Sequence, residues 1–160
     1  MASPRLTHVF NLAAYSLPVA FPTEVNTVCN LYAAGVEGGT FSTADGKTSF
    51  DVLNASDWMT MEASGTGVAV DARVNAQGAN GGLDLQYQGK LKFSAEMMEM
   101  MQGKRSGTEF GEGYYYVSPK ISSRMEEFKW VNETVFLGQG RIRMRPDGKL
   151  EVSYRIYKVD

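Results

Sequence analysis

The sequence predicts an all-β protein, a closed antiparallel β-barrel of about eight to ten strands with one short helix, in a single domain over residues 1–160. Three observations predict it. Apolar and polar residues alternate along run after run, the period of a half-buried strand. Clusters of turn-forming residues separate the runs. Only one segment reads as a helix, so the long helical crossovers that a parallel sheet needs are missing. Antiparallel strands in this number lose their exposed edges by curling until the sheet closes.

Leu6 to Leu17 forms the first strand, ended by Pro18 and Pro22. Thr27 to Val36 forms the second, closed by Glu37-Gly38-Gly39. Ala44-Asp45-Gly46-Lys47 is a turn, and Trp58 to Ala63 is a short strand broken by Ser64-Gly65. In Val68 to Val74, Val68, Val70, Ala72 and Val74 share one face while Asp71, Arg73 and Asn75 share the other. Gly78-Ala79-Asn80-Gly81-Gly82 is a hairpin turn, since several of these residues tolerate positive φ. Leu83 to Phe93 alternates again, with Leu83, Leu85, Tyr87, Leu91 and Phe93 opposing Asp84, Gln86, Gln88, Lys90 and Lys92. Ser94 is the N-cap of a helix that carries Met97, Met98, Met100 and Met101 and stops at Gly103. Tyr114 to Ile121, Thr134 to Met144 and Leu150 to Val159 follow as strands. The turn Arg145-Pro146-Asp147-Gly148-Lys149 joins the last two.

A chain of 160 residues with 43% apolar and 21% charged residues can bury a core without staples. Its net charge of −2 argues against nucleic acid and anionic membranes as partners, which demand a basic excess. Cys29 and His8, one of each type, form neither an internal disulfide nor a Cys/His zinc site. No metal is expected, and a reducing, cytoplasmic location is the simplest one. The stretch after Arg5 is interrupted by Asn11, Tyr15, Ser16 and Pro18 and makes a poor leader, and no apolar run reaches the roughly 20 residues of a membrane helix.

The chemistry-bearing candidates are few. A lone His8 and the lack of a Gly-x-Ser-x-Gly elbow exclude the usual nucleophilic triads. Gly65-Thr66-Gly67 opens no helix and is a turn, not a phosphate loop. Asp71 and Arg73, two apart, share a strand face, where an ion pair can orient a carboxylate for acid–base work. Spacing alone favours a solvated outer face for them. Asp57, beside Trp58, is either the cap of a strand or a carboxylate at a barrel mouth with its pKa raised by desolvation. Tyr87, Tyr114, Tyr115, Tyr116 and Trp130 either line a cavity for a planar or greasy ligand or fill the core. The methionines suit a flexible plug, and Arg141, Arg143 and Arg145 suit a solvated strand face.

An ordered series of segments resembles a known family, domain of unknown function 3237 (uncharacterised protein family 0311). Val36-Glu37-Gly38 and Asp57-Trp58 are similar to its early part. Val70-Asp71-Ala72-Arg73, Gly82-Leu83 and Gln86-Tyr87-Gln88-Gly89 resemble its central hairpin, and Tyr115-Tyr116-Val117-Ser118-Pro119 its next strand. Trp130 through Gly140 is the most similar stretch. The chain departs from the family at Asn80-Gly81-Gly82, where acidic residues are common, and in its methionine-rich helix. The resemblance implies a calycin-like barrel. Some fungal members resemble tailoring enzymes of polyketide or related secondary metabolism that work without metal or organic cofactor. It also implies roles for Asp57, Asp71, Arg73, Tyr87, Trp130 and Asn132, and it turns Asp71 and Arg73 inward.

The expected function is therefore a cofactor-free isomerase, cyclase or rearrangement enzyme for a small hydrophobic, oxygenated metabolite. Asp57 or Asp71 acts as acid or base, and Arg73 holds a developing enolate or carboxylate. Tyr87 and Tyr116 donate hydrogen bonds, Trp58 and Trp130 wall the pocket, and Asn132 orients a carbonyl. The alternatives are a lipocalin-like carrier without catalysis and a structural subunit whose barrel is filled by side chains. An exposed apolar sheet face favours a homodimer.

Overall fold

The computed structural model describes residues 3–16 and 31–160. Cys29, Pro18, Pro22 and the expected second strand before Leu31 lie outside them. Eight strands follow one another around a closed barrel, each antiparallel to the next, and β8 returns to pair with β1. They are β1 (Leu6–Ser16), β2 (Leu31–Thr43), β3 (Ser49–Met61), β4 (Gly67–Gly78), β5 (Gly81–Lys92), β6 (Tyr115–Ser123), β7 (Phe136–Met144) and β8 (Leu150–Val159). Helix α1 (Ala95–Met101) lies between β5 and β6, and a 3₁₀ segment (Glu126–Glu133) between β6 and β7. The sequence pattern does not mark that second helical piece.

Two strands run further than their alternation suggests. β2 continues through Gly38 and Gly39, and β3 begins at Ser49, well before Trp58. The glycines do not stop β2. They sit where its register against β1 slips, Tyr15 facing Gly38 and Ser16 facing Val36, so Glu37 is the extra residue of a bulge. At Gly39 a Cβ would meet the Ala13 carbonyl oxygen at 2.1 Å, which only glycine avoids.

A second bulge, between Val52 and Asn54 of β3, decides the chemistry of the interior. One extra residue, the exposed Leu53, reverses the alternation of everything after it. Phe50 and Val52 face inward before the bulge, and Asp57, Met59 and Met61 face inward after it. Continued without the bulge, that alternation would aim Asp57 at solvent.

The two ends of the barrel are built differently. Where β3 begins, Phe10, Phe41, Phe50, Phe128 and Phe136 pack ring on ring, with centroids 4.9 to 6.3 Å apart. The 3₁₀ segment caps this end by burying Phe128 and Val131. Trp130 stacks on Phe10 at 5.6 Å and 4°. Toward the other end the inward positions include Ala14, Ser16, Ala34, Ala72 and Gly140, and side chains this small do not fill the middle.

Helix α1 lies across the open end. The Ser94 hydroxyl accepts a hydrogen bond from the Met97 N–H at 3.2 Å, which starts the helix. Met97 and Met100 turn inward, while Met98 and Met101 remain exposed. Ser94→Ala is expected to cost about 1 kcal/mol, and to lower the melting temperature by roughly 2–4 °C in a domain of this size. A melt indistinguishable from wild type would show that methionine packing alone holds the helix.

Candidate active site

Under α1 the barrel encloses a cavity of about 300 Å³. Its walls are apolar: Ala34, Met59, Val70, Leu91, Ile142 and Val152, with Met97, Met100 and Met101 above. Among the described residues, the polar side chains that reach it are Ser16, Asp57 and Tyr115, and no lysine, arginine or histidine lines it.

Asp57 stands in one row of the barrel wall with Ala34 of β2 on one side and Ala72 of β4 on the other, Tyr87 of β5 following. The alanines leave the carboxyl space and offer it no donor. Asp57 is 9% exposed, and its Oδ1 has no hydrogen-bond partner among the described residues. Burial, and second the negative charge of Asp71, push its pKa up to about 6.

Three phenols stand near this carboxyl. The hydroxyls of Tyr115 and Tyr154 are hydrogen-bonded to each other. The Tyr154 ring lies 5.2 Å from that of Tyr115 and 5.1 Å from that of Tyr87. All three are buried, and burial raises their pKa values above the ordinary tyrosine range, the charge of Asp57 adding to it. They therefore stay protonated at neutral pH and serve as donors. Gly140 makes room for this arrangement, since a Cβ there would meet the Tyr115 ring at 2.5 Å.

Of the residues singled out by sequence, Asp57 and Tyr87 are inside the barrel. Asp71 and Arg73 are not. They alternate with the buried Val70, Ala72 and Val74, so they lie on the outer face, contrary to the inward orientation implied by the family resemblance. The period of two leaves a strand only one inward set, and the apolar residues occupy it. Asp71 Oδ2 accepts from the Gln88 side-chain amide at 2.9 Å. Trp58 pairs with Asp71 across β3 and β4 and is 42% exposed, and together with Arg73 and Lys90 they border a shallow outer groove. Tyr116 is also on the outside, its hydroxyl accepting from the Gln139 amide at 3.3 Å.

Trp130 and Asn132 belong to the 3₁₀ segment at the closed end. Asn132 clamps a turn there: it accepts from the Ser123 N–H at 3.1 Å and donates to the Ser123 and Lys129 carbonyls, each at 2.9 Å. Neither residue reaches the cavity. Sequence reasoning assigned no role to Tyr154 and placed Tyr115 only among aromatics that fill or line the barrel. Their signal was parity: Tyr115 alternates in step with Val117 and Ile121, and Tyr154 with Val152 and Ile156.

Asp71 still acts on the site through its charge. Asp71→Asn is expected to lower the pKa of Asp57, though not to the ordinary carboxylate value, because burial is the larger cause. The check is the pH dependence of the stability difference between Asp57→Asn and its parent, with and without Asp71→Asn. An unmoved midpoint would remove Asp71 from the account.

Among the described residues no three His, Cys, Asp or Glu side chains converge as a metal site requires, and no helix is long and apolar enough to cross a membrane.

The barrel is similar to several solved structures. A conserved protein of unknown function from Rhodopseudomonas palustris superposes with a TM-score of 0.79 at 13% identity, over 100% of both chains. A β-barrel-like protein from Acinetobacter baumannii gives 0.68 at 21% identity, over 100% of this chain and 98% of its own. A structure described as an enzyme from Penicillium herquei gives 0.57 at 15% identity, over 100% of this chain and 97% of its own. At these identities the likeness is one of fold. No curated protein matches the sequence. The model of the family described as protein of unknown function DUF3237 matches residues 4–159, and the chain belongs to that family.

Proposed function

We propose that the protein is an acid–base enzyme, an isomerase, cyclase or rearrangement catalyst, for a small hydrophobic molecule bearing oxygen and held in the cavity beside Asp57. One observation carries this reading: a carboxyl buried among apolar side chains, with an oxygen that has no partner and no cation beside it among the described residues, poised to titrate at about 6. A buried carboxyl without a partner destabilises a fold, and such groups cluster where proton transfer is needed.

Above pH 6 Asp57 is mainly ionised and takes a proton from the substrate. The acid so formed returns the proton to a different atom of the same molecule. Substrate and product are isomers, so the step balances without an oxidant, a reductant or a second substrate.

A carrier is the competing reading, since apolar walls and a methionine cover suit simple binding. It has no use for the buried carboxylate. The two part in deuterated water. Small enolisable ketones and phenols incubated with the enzyme are expected to gain deuterium at carbon, read by mass spectrometry. Asp57→Asn is expected to slow that uptake roughly 10²–10⁴-fold. Ligands that bind the cavity and return unlabelled across the panel would make the protein a carrier.

A further inference from the structure

Tyr115 is the one phenol of the cluster that lines the cavity, and Asp57 lines the same cavity. It is held from two sides. Gly140 leaves the space its ring occupies, and Tyr154 bonds its hydroxyl from within the core. Tyr154 is 1% exposed and packs against Tyr87, so the pair cannot turn toward water. A hydroxyl anchored in this way meets a substrate oxygen without reorganising, the condition under which a donor stabilises a developing negative charge best.

Among the described residues no cation lines the cavity to serve that purpose. Arg73, the expected holder of an enolate, is exposed on the outer face. When Asp57 removes a proton next to a carbonyl, the electron pair of the broken C–H bond moves into the carbon–carbon bond, and the carbonyl oxygen takes the charge. Asp57 is then neutral, so the site holds one negative charge before and after the step. Among the described lining residues, an oxyanion in this cavity finds hydrogen-bond donors and no positive charge. Resting on the acid–base reading above, we propose that Tyr115, backed by Tyr154, is the second catalytic group of the cavity. It donates a hydrogen bond to the oxygen of a neutral carbonyl substrate while Asp57 takes the neighbouring proton. The substrate class follows: an uncharged, largely apolar ketone or phenol-tautomer, and not a carboxylate or phosphate, which would meet Asp57 with no cation to offset it.

The test uses 2-naphthol as an oxygen-bearing probe and 2-methylnaphthalene as its hydrocarbon counterpart, with binding followed by calorimetry. Asp57→Asn, which imitates the protonated carboxyl, is the background. There, Tyr115→Phe is expected to weaken 2-naphthol roughly tenfold, and to leave 2-methylnaphthalene unchanged. Tyr154→Phe keeps the Tyr115 hydroxyl but removes its anchor, and a smaller loss confined to 2-naphthol is expected. Naphthols made acidic enough by ring substitution to ionise at the assay pH should bind, as naphtholates, more tightly when Tyr115 is present and gain less in Tyr115→Phe. Equal weakening of both probes, or of neither, overturns the assignment of Tyr115. The underlying reading fails by a different result: 2-naphthol binding to the wild type that shows no pH dependence near 6.

Discussion

Asp57→Asn is expected to yield a protein that is strongly slowed in proton transfer yet more stable than the wild type above pH 6. The stability gain follows from linkage. Burial raises the carboxyl from 3.8 to about 6, so between those values the folded state holds a proton that the unfolded state has released. Stability therefore falls as pH rises through this window, and the contribution levels off above it. The full loss amounts to about 3 kcal/mol as an upper limit. Asn carries no charge and escapes it. Chemical denaturation of both proteins should give nearly parallel stabilities near pH 4 and a widening advantage for Asp57→Asn up to pH 7. A difference independent of pH would mean that the carboxyl titrates normally, and the case for an activated acid–base group would go with it. Greater stability combined with lost turnover is the mark of a group kept for function at the expense of the fold.

The second large effect lies at the opposite end. Phe10 is 1% exposed, stacks on Trp130, and touches Phe41, Phe128 and Phe136. Phe10→Ala removes the shared centre of that cluster and leaves a hole that neighbours on rigid strands cannot close. The expected cost is about 3–5 kcal/mol, read as a shift of the urea midpoint. Binding of 2-methylnaphthalene to the cavity should survive where the protein is folded, because the aromatic plug and the cavity occupy different halves of the barrel. A cost below about 1 kcal/mol would show that the 3₁₀ segment, and not the ring cluster, closes the end.

These two predictions concern halves of the barrel that the amino-acid pattern renders with different clarity. In β4, Val68, Val70, Ala72 and Val74 alternate so cleanly that the inward set can be read directly, and the outward position of Asp71 and Arg73 with it. Family resemblance argued against that alternation, and the structure sides with the alternation. β5, the Ser94-capped helix and the turn before β8 are equally plain. Gly148 adopts φ 80° in that turn, as its residue type suggests.

In β3 the pattern misleads. Phe50 and Val52 are two apart, and Met59 and Met61 are two apart, but the two pairs are out of step by the one residue at Leu53. A reader of the chain meets an interrupted alternation and starts the strand at Trp58. Asp57 shares its parity with Met59 and Met61, and that was the available sign that it faces the core.

The residue types along the chain determined the closed antiparallel sheet and the cap of its helix, because these depend on a local period of two and on local hydrogen bonds. Tertiary structure alone decided which end of the barrel is filled and which is hollow. That depends on Phe10, Phe41, Phe50, Phe128 and Phe136, drawn from distant parts of the chain, meeting in one half, and on Ala34, Ala72 and Gly140 falling together in the other. Such meetings are set by bulges and strand stagger, which shift whole faces by a single residue and leave almost no trace in the composition. The same shift carries Asp57 from the surface into the cavity, where the loss of water gives an ordinary carboxyl an unusual pKa.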